Sequence, residues 1–250
     1  MLTTRFDRPD IRQPDVFAEI SVVLDPPARR TLEAFVNTSY SDEGEPCLEP
    51  GYPLEDFHHK VALQLASVGA YLHKQGIMHR DYKLENVAVV RTSPDVNVVL
   101  IDFGHAVEAI ESWDHMKGTV RYLAPEVLAL KEGRSSRSYN CLVDVWALGI
   151  IMLELGMQRR VQSVNMAQQW AGELEQRARE PEATPLAAIL SRLLCVEAGK
   201  RITMQQIVET LDQQVSSAGK RKTEGGGEPA STRKPFSRRI VLEMPPDHGA

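Results

Sequence analysis

Residues 141–155, CLVDVWALGIIMLEL, are apolar nearly all round. A helix with that pattern has no face to offer to water, so it belongs inside a core with other elements packed on every side. The rest of the chain supplies the neighbours. Phe57, Val61, Leu65, Val68 and Leu72 recur at helical spacing, the stripe of an amphipathic helix that begins at Leu54 and is stopped by Gly76. Leu186, Ile189, Leu190, Leu193 and Leu194 share one face of a second helix, with Thr184 as cap and Pro185 at its first position. Met204, Ile207, Leu211 and Val215 line a third, opened by a capping box of Thr203 and Gln206.

The β content is small. Residues 87–90 (VAVV) and 96–101 (VNVVLI) are β-rich runs joined by RTSPD and read as a hairpin. Residues 17–24, FAEISVVL, read as a strand stopped by Asp25, Pro26 and Pro27. A short helix is expected over 31–36 and a loop over 41–53, while 158–181 is polar with no clear element. From Ser216 onward the chain is too polar and too rich in Gly and Pro to fold alone. The expected architecture is mostly α with a small β-hairpin, divided into an N-terminal segment 1–16, a folded region 17–215 and a disordered basic tail 216–250.

Composition narrows the functional classes. No apolar run approaches the roughly 18 residues of a membrane span, and the N-terminus lacks the apolar stretch of a secretory signal. Cys47, Cys141 and Cys195 are isolated, which points to reduced thiols in a cytoplasmic or nuclear compartment and away from a disulfide or zinc framework. The net charge of −5 includes a tail with seven Lys/Arg against four Asp/Glu, so residues 1–215 are acidic and offer no general attraction to nucleic acid. The basic runs of the tail read either as a nuclear-import signal or as a solvated end. His58 and His59 have no third ligand at helical spacing and read as solvated helix-surface side chains.

The chemistry-bearing residues lie between these elements. IMHRDYKLEN occupies 77–86, DFG occupies 102–104, and GTVRYLAPE occupies 118–126. The hairpin places Asn86 just before one strand and Asp102 just after the other, so two separated residues arrive side by side. In order and spacing the three motifs resemble the catalytic core of protein kinases, most closely the serine/threonine branch, over about Phe17 to Gln213. The resemblance implies a kinase-like C-lobe preceded by a remnant strand (17–24), a hinge and the short helix after it.

It also implies phosphoryl transfer from Mg-ATP to a protein hydroxyl. That reaction needs Mg²⁺ to neutralise the phosphates and a carboxylate to orient and deprotonate the attacking hydroxyl. By resemblance Asp81 would be the catalytic base, Lys83 the stabiliser of the transferred phosphate, and Asn86 and Asp102 the metal ligands. Gly104, Thr119 and Glu126 would belong to the activation segment, with Thr119 bracing Lys83. His79 and Phe103 would pack in an internal spine, and Asp144 would bond the HRD backbone. Glu126 and Arg201 would form an ion pair behind the activation segment. Arg80 would pair with a phosphorylated activation-segment residue, for which Ser112 is the candidate.

The sequence also departs from that pattern. The family grips nucleotide with a glycine-rich loop and a strand lysine, yet there is no glycine before Gly44 and no lysine before Lys60, both beyond the hinge strand. Tyr82 and Leu84 stand where Leu and Pro are commoner. Two readings stay open: a serine/threonine kinase with ATP and a protein substrate as partners, or a non-catalytic pseudokinase module. The exposed upper face of the lobe would suit another kinase or a regulatory protein. Neither reading involves nucleic acid or a membrane.

Overall fold

The apolar run forms the helix Leu142–Met157, and every residue from Val143 to Leu155 is buried. Gln158 ends it in the left-handed conformation at φ +53°. The computed structural model describes residues 2–6, 18–22, 30–37, 53–92, 96–177 and 185–223. Its elements in chain order are β1 (Leu2–Phe6), β2 (Ala18–Val22), β3 (Arg30–Thr31), α1 (Ala34–Asn37), α2 (Leu54–Lys74), β4 (Ile77–Met78), β5 (Val87–Arg91) and β6 (Asn97–Leu100). After these come β7 (Val107–Glu108), β8 (Glu111–Ser112), α3 (Pro125–Lys131), β9 (Tyr139–Asn140), α4 (Leu142–Met157), α5 (Val164–Arg177), α6 (Pro185–Leu193) and α7 (Met204–Thr223).

Helix α4 is surrounded by α1, α2, α5 and α6, which explains why it carries no polar stripe. Helix α2 buries Phe57, Val61 and Leu65 and packs along α7, whose Met204, Ile207 and Leu211 are buried in turn. Gly69 sets the closeness of that contact, since a Cβ there would meet Met204 Cγ and Tyr82 Oη at 2.9 Å. Gly76 takes φ +72° and turns the chain from α2 towards the HRD motif.

The expected hairpin is β5–β6, antiparallel with Val87 opposite Leu100, and β3 joins it as a third strand with Arg30 opposite Val89. Helix α2 braces that sheet through Gln64, whose Oε1 accepts from Val98 N–H and whose amide donates to the Val96 carbonyl. Two two-residue ladders, β4–β7 and β8–β9, tie the loops that follow the motifs.

Several expectations need correction. Over 31–36 the chain first pairs as a strand at Arg30 and Thr31, then turns into α1 at Ala34, because Leu32 N–H bonds the Val87 carbonyl and extends the sheet. The strand expected at 17–24 is described over Ala18–Val22, where it pairs with β1, a partner that the charged first residues concealed. The polar stretch 158–181 contains α5, whose short stripe of Ala167, Trp170 and Ala171 is buried but weak in hydrophobic content. Helix α7 runs to Thr223, past the expected boundary at Ser216. Most of the loop at 41–53, Thr184 and the rest of the tail lie outside the described residues.

The capping box is present. Gln206 N–H bonds Thr203 Oγ1 at 3.2 Å, and Thr203 N–H bonds Gln206 Oε1 at 3.0 Å. Trp170 anchors α5 from within the core. Its replacement by Ala is expected to cost about 3–5 kcal/mol, read as a lower urea midpoint with an unchanged slope.

Candidate active site

The site is built on loops held by α4. Asp144, in the first turn of that helix and almost fully buried, accepts from His79 N–H at 2.9 Å and from Arg80 N–H at 2.8 Å. A third bond comes from His73 Nε2, at 3.0 Å, on the last turn of α2. A buried carboxylate is tolerable only when its lone pairs are occupied, and here two amides and a histidine occupy them. Burial opposes charge on His73. The hydrogen bonds and charges of Asp144 and Cys141 outweigh it and raise its pKa to about 9. The ring is therefore an imidazolium at neutral pH.

This grip sets the loop after β4 in an unusual path. Arg80 takes φ +66°, a left-handed conformation that costs about 1–3 kcal/mol for a non-glycine residue unless its surroundings enforce it. Asp81 is thereby presented to three hydrogen-bond partners. Lys83 Nζ lies 2.7 Å from its Oδ2, Thr119 Oγ1 donates to its Oδ1 at 3.0 Å, and Asn86 Nδ2 donates to its Oδ2 at 2.8 Å and its carbonyl at 2.9 Å. Lys83 also donates to Thr119 Oγ1 at 3.3 Å, and His105 Nδ1 stands 3.8 Å from Asp81 Oδ2. Burial works against ionising Asp81. The hydrogen bond and charge of Lys83, then Thr119 and His105, prevail and hold its carboxyl below the usual range.

Asp102 reaches the same end of the sheet by backbone. Ile101 N–H bonds the Asn86 carbonyl at 2.8 Å, at the mouth of the β5–β6 hairpin. Asp102 sits at φ +62°, exposed, with Gly104 N–H donating to its Oδ1 at 3.1 Å. Its side chain makes no bond to Asp81 or Asn86 among those described. The rings of Phe103 and Tyr82 both pack edge-on against His79, with centroids 4.8 and 5.2 Å away. Burial holds the His79 pKa down, so it is a neutral packing group that accepts from Asp81 N–H through Nδ1.

The donor set suits a hard cation of the magnesium type. Asn86 spends its amide nitrogen on Asp81, so the atom available to such an ion is its amide oxygen, and the Asp102 carboxylate is exposed. Among the described residues no three His, Cys, Asp or Glu side chains cluster as a protein-only metal cage. A Mg²⁺ ion held by one or two side chains plus phosphate oxygens needs none.

The segment 104–126 closes the front. Gly118 N–H donates to His105 Nδ1 at 3.3 Å, and a Cβ on Gly118 would meet the Arg80 carbonyl at 2.8 Å, so φ +88° and the close approach both require glycine there. Arg201, buried and stacked over Trp146, forks onto Glu126 at 2.8 and 3.0 Å and reaches the Leu142 carbonyl at 2.8 Å. Arg80 points forward, donating to the His105 carbonyl at 2.6 Å and lying 3.4 Å from both Asp114 Oδ2 and Tyr139 Oη. Ser112, the expected phosphate carrier, instead accepts from Asp114 N–H at 3.1 Å. The Asp114 carboxylate faces Arg80.

Two family departures have structural counterparts. Tyr82 is fully buried, with its hydroxyl 3.3 Å from the Leu65 carbonyl and room made by Gly69. Leu84, unlike a proline, has an N–H, which points at Tyr122 Oη 3.5 Å away. That tyrosine belongs to a cluster the sequence reading missed. Buried Glu154 accepts from Tyr122 Oη at 2.7 Å, Arg160 Nη1 at 3.1 Å and Val161 N–H at 2.9 Å, while Arg160 also binds Glu33 at 2.6 Å. Its signal was a carboxylate in the last turns of a helix that is otherwise apolar beyond Asp144. His58 and His59 are half-buried rather than solvated, and burial pushes His58 down to about 4.

A protein kinase domain model matches residues 28–211, most of the chain. The chain belongs to the protein kinase family. It is 34% identical over 171 residues to a Caenorhabditis elegans calcium/calmodulin-dependent protein kinase type II, covering 63% of this chain and 22% of that protein. It is 29% identical over 189 residues to the C. elegans serine/threonine-protein kinase kin-29, covering 70% and 21%, respectively. With the Schizosaccharomyces pombe meiosis-specific serine/threonine-protein kinase mek1 it shares 40% over 103 residues, covering 38% and 23%. The chain thus spans about a fifth of the length of these serine/threonine relatives.

The His73 shift makes a pH prediction for this kinase-family chain. Its folded pKa is raised, so its contribution is fully present below the unfolded value of 6.5 and disappears as pH rises through about 9. Urea denaturation should show up to about 3 kcal/mol lost between pH 6 and 9.5, and His73→Gln should remove most of that slope.

Proposed function

We propose that the chain is a serine/threonine protein kinase that moves the γ-phosphoryl group of Mg-ATP onto a protein hydroxyl. The observation that carries this reading is the three-way contact at Asp81. One carboxylate is held ionised by Lys83 and Thr119 and fixed by Asn86. In this reading Asp81 orients the acceptor and takes its proton. Lys83, 2.7 Å away, is placed to offset negative charge on the phosphoryl group in transit, and Thr119 keeps both in register. Asn86 and Asp102 would hold the metal, which when bound supplies charge neutralisation for the phosphate oxygens. His79 and Phe103 support the two motifs from behind, and Asp144 fixes the loop.

A second reading is a non-catalytic module that binds another kinase or a regulatory protein. One sequence observation favours it: residues 1–43 hold no glycine and residues 1–59 no lysine, the residue types with which the family grips nucleotide phosphates from above. Each preorganised donor lost from such a centre typically costs about 10²–10³ in rate.

One pair of measurements separates the readings. The kinase reading expects a rise in melting temperature with Mg-ATP that Asp102→Ala abolishes. It also expects phosphate incorporation into a basic protein mixture that falls at least about 10³-fold in Asp81→Asn. A chain with neither the shift nor the Asp81-dependent incorporation is the binding module.

A further inference from the structure

The loop between α3 and β9 reads KEGRSSRSYN over 131–140, with Arg134, Ser136 and Arg137 exposed at its surface. Its last serine is engaged differently from the others. Ser138 Oγ donates to Glu111 Oε2 at 2.6 Å, a surface bond joining the loop to the start of β8. The neighbouring Ser135 hydroxyl turns inward on its own loop and accepts from Arg137 N–H at 3.1 Å.

The Ser138–Glu111 bond stands at the head of a short chain of contacts. Beside it lies the two-pair ladder of β8 and β9, Glu111 opposite Asn140 and Ser112 opposite Tyr139. Tyr139 then donates its hydroxyl to the Asp114 carbonyl at 2.7 Å. The same hydroxyl and the Asp114 carboxylate each lie 3.4 Å from Arg80 Nη1, one residue from Asp81. A ladder of two pairs has little cooperativity of its own, so the hydrogen bond at its head bears heavily on whether it stays closed.

We propose that Ser138 is a phosphorylation site for a protein kinase that selects basic flanks, and that the modification opens the β8–β9 ladder. Arg134 and Arg137 give the acidic cleft of such an enzyme two cations to hold. The ion pair of Arg134 with Glu132 is a surface contact, worth too little to withhold the arginine. In the transfer, Ser138 Oγ forms a bond to the γ-phosphorus of ATP and the β,γ-bridging P–O bond breaks. ADP leaves, and the hydroxyl proton passes to the modifying enzyme's base. The product carries about −1.5 to −2 charge, and its dianionic form has no donor. It therefore faces the Glu111 carboxylate as a like charge where a hydrogen bond stood, while Arg134 and Arg137 offer it partners on the other side. That the opened segment would slow transfer at Asp81 rests on the function proposed above; the opening itself does not.

The test treats the full chain with Mg-ATP and the cyclic-AMP-dependent protein kinase, alongside a control lacking that enzyme to reveal self-modification. The phosphate is mapped by mass spectrometry and amide exchange is followed in peptides covering 107–116 and 136–142. The expected result is phosphate on Ser138 and exchange about tenfold faster in both peptides, with α2 and α4 unchanged. Ser138→Asp should reproduce the faster exchange, and adding Glu111→Gln should restore protection, because the amide can donate to the new carboxylate. Phosphate confined to Ser135 or Ser136, unchanged exchange in the Ser138-phosphorylated chain, or no rescue by Glu111→Gln would each overturn the proposal.

Discussion

The carboxylate of Asp144 is the contact on which the site depends. It projects from the first turn of a helix that the core encloses, and it holds two consecutive peptide amides, those of His79 and Arg80. Those amides lie in neither a helix nor a strand, so no ladder would otherwise satisfy them. Fixing them forces the left-handed turn at Arg80 and aims Asp81 at Lys83, Asn86 and Thr119. The imidazolium of His73 balances the charge of Asp144, and the core keeps water away from the pair. Breaking one partner of such a buried pair typically costs about 3–5 kcal/mol.

Helix α4 carries a second buried carboxylate, Glu154, ten residues on and therefore about 15 Å along the axis. It holds Tyr122 and the chain after the helix through Val161 and Arg160. One rigid rod thus positions the loop bearing Asp81 at one end and the segment following Thr119 at the other. A third clamp, Arg201 on Glu126, ties the same segment to the Leu142 carbonyl at the start of α4. The two motifs that share the Asp81 contacts are separated in sequence, but both are referred to the same helix.

Much of this was legible in the sequence because its signals are periodic or local. The stripe of α2, the buried character of α4 and the Thr203–Gln206 box each follow from spacing, and the β5–β6 hairpin follows from two β-rich runs around a turn. The contact of Asp81 with Asn86 is local, five residues apart in one loop. What escaped was either weakly hydrophobic or set by tertiary charge. Helix α5 hides its stripe in two alanines and one tryptophan. The His73–Asp144, Glu154–Tyr122 and Arg80–Asp114 contacts join residues tens of positions apart, and nothing in local propensity pairs them. The contact that Ser112 makes, accepting from Asp114 N–H while the Asp114 carboxylate faces Arg80, is likewise set by tertiary geometry.

The most direct test of this account is nuclear magnetic resonance of the full chain, labelled to detect scalar coupling across hydrogen bonds. The account predicts coupling from both the His79 and the Arg80 amide nitrogens to the Asp144 carboxyl carbon, with both amides exchanging as slowly as those within α4. Absent couplings, together with exchange at the rate of an open loop, would contradict it.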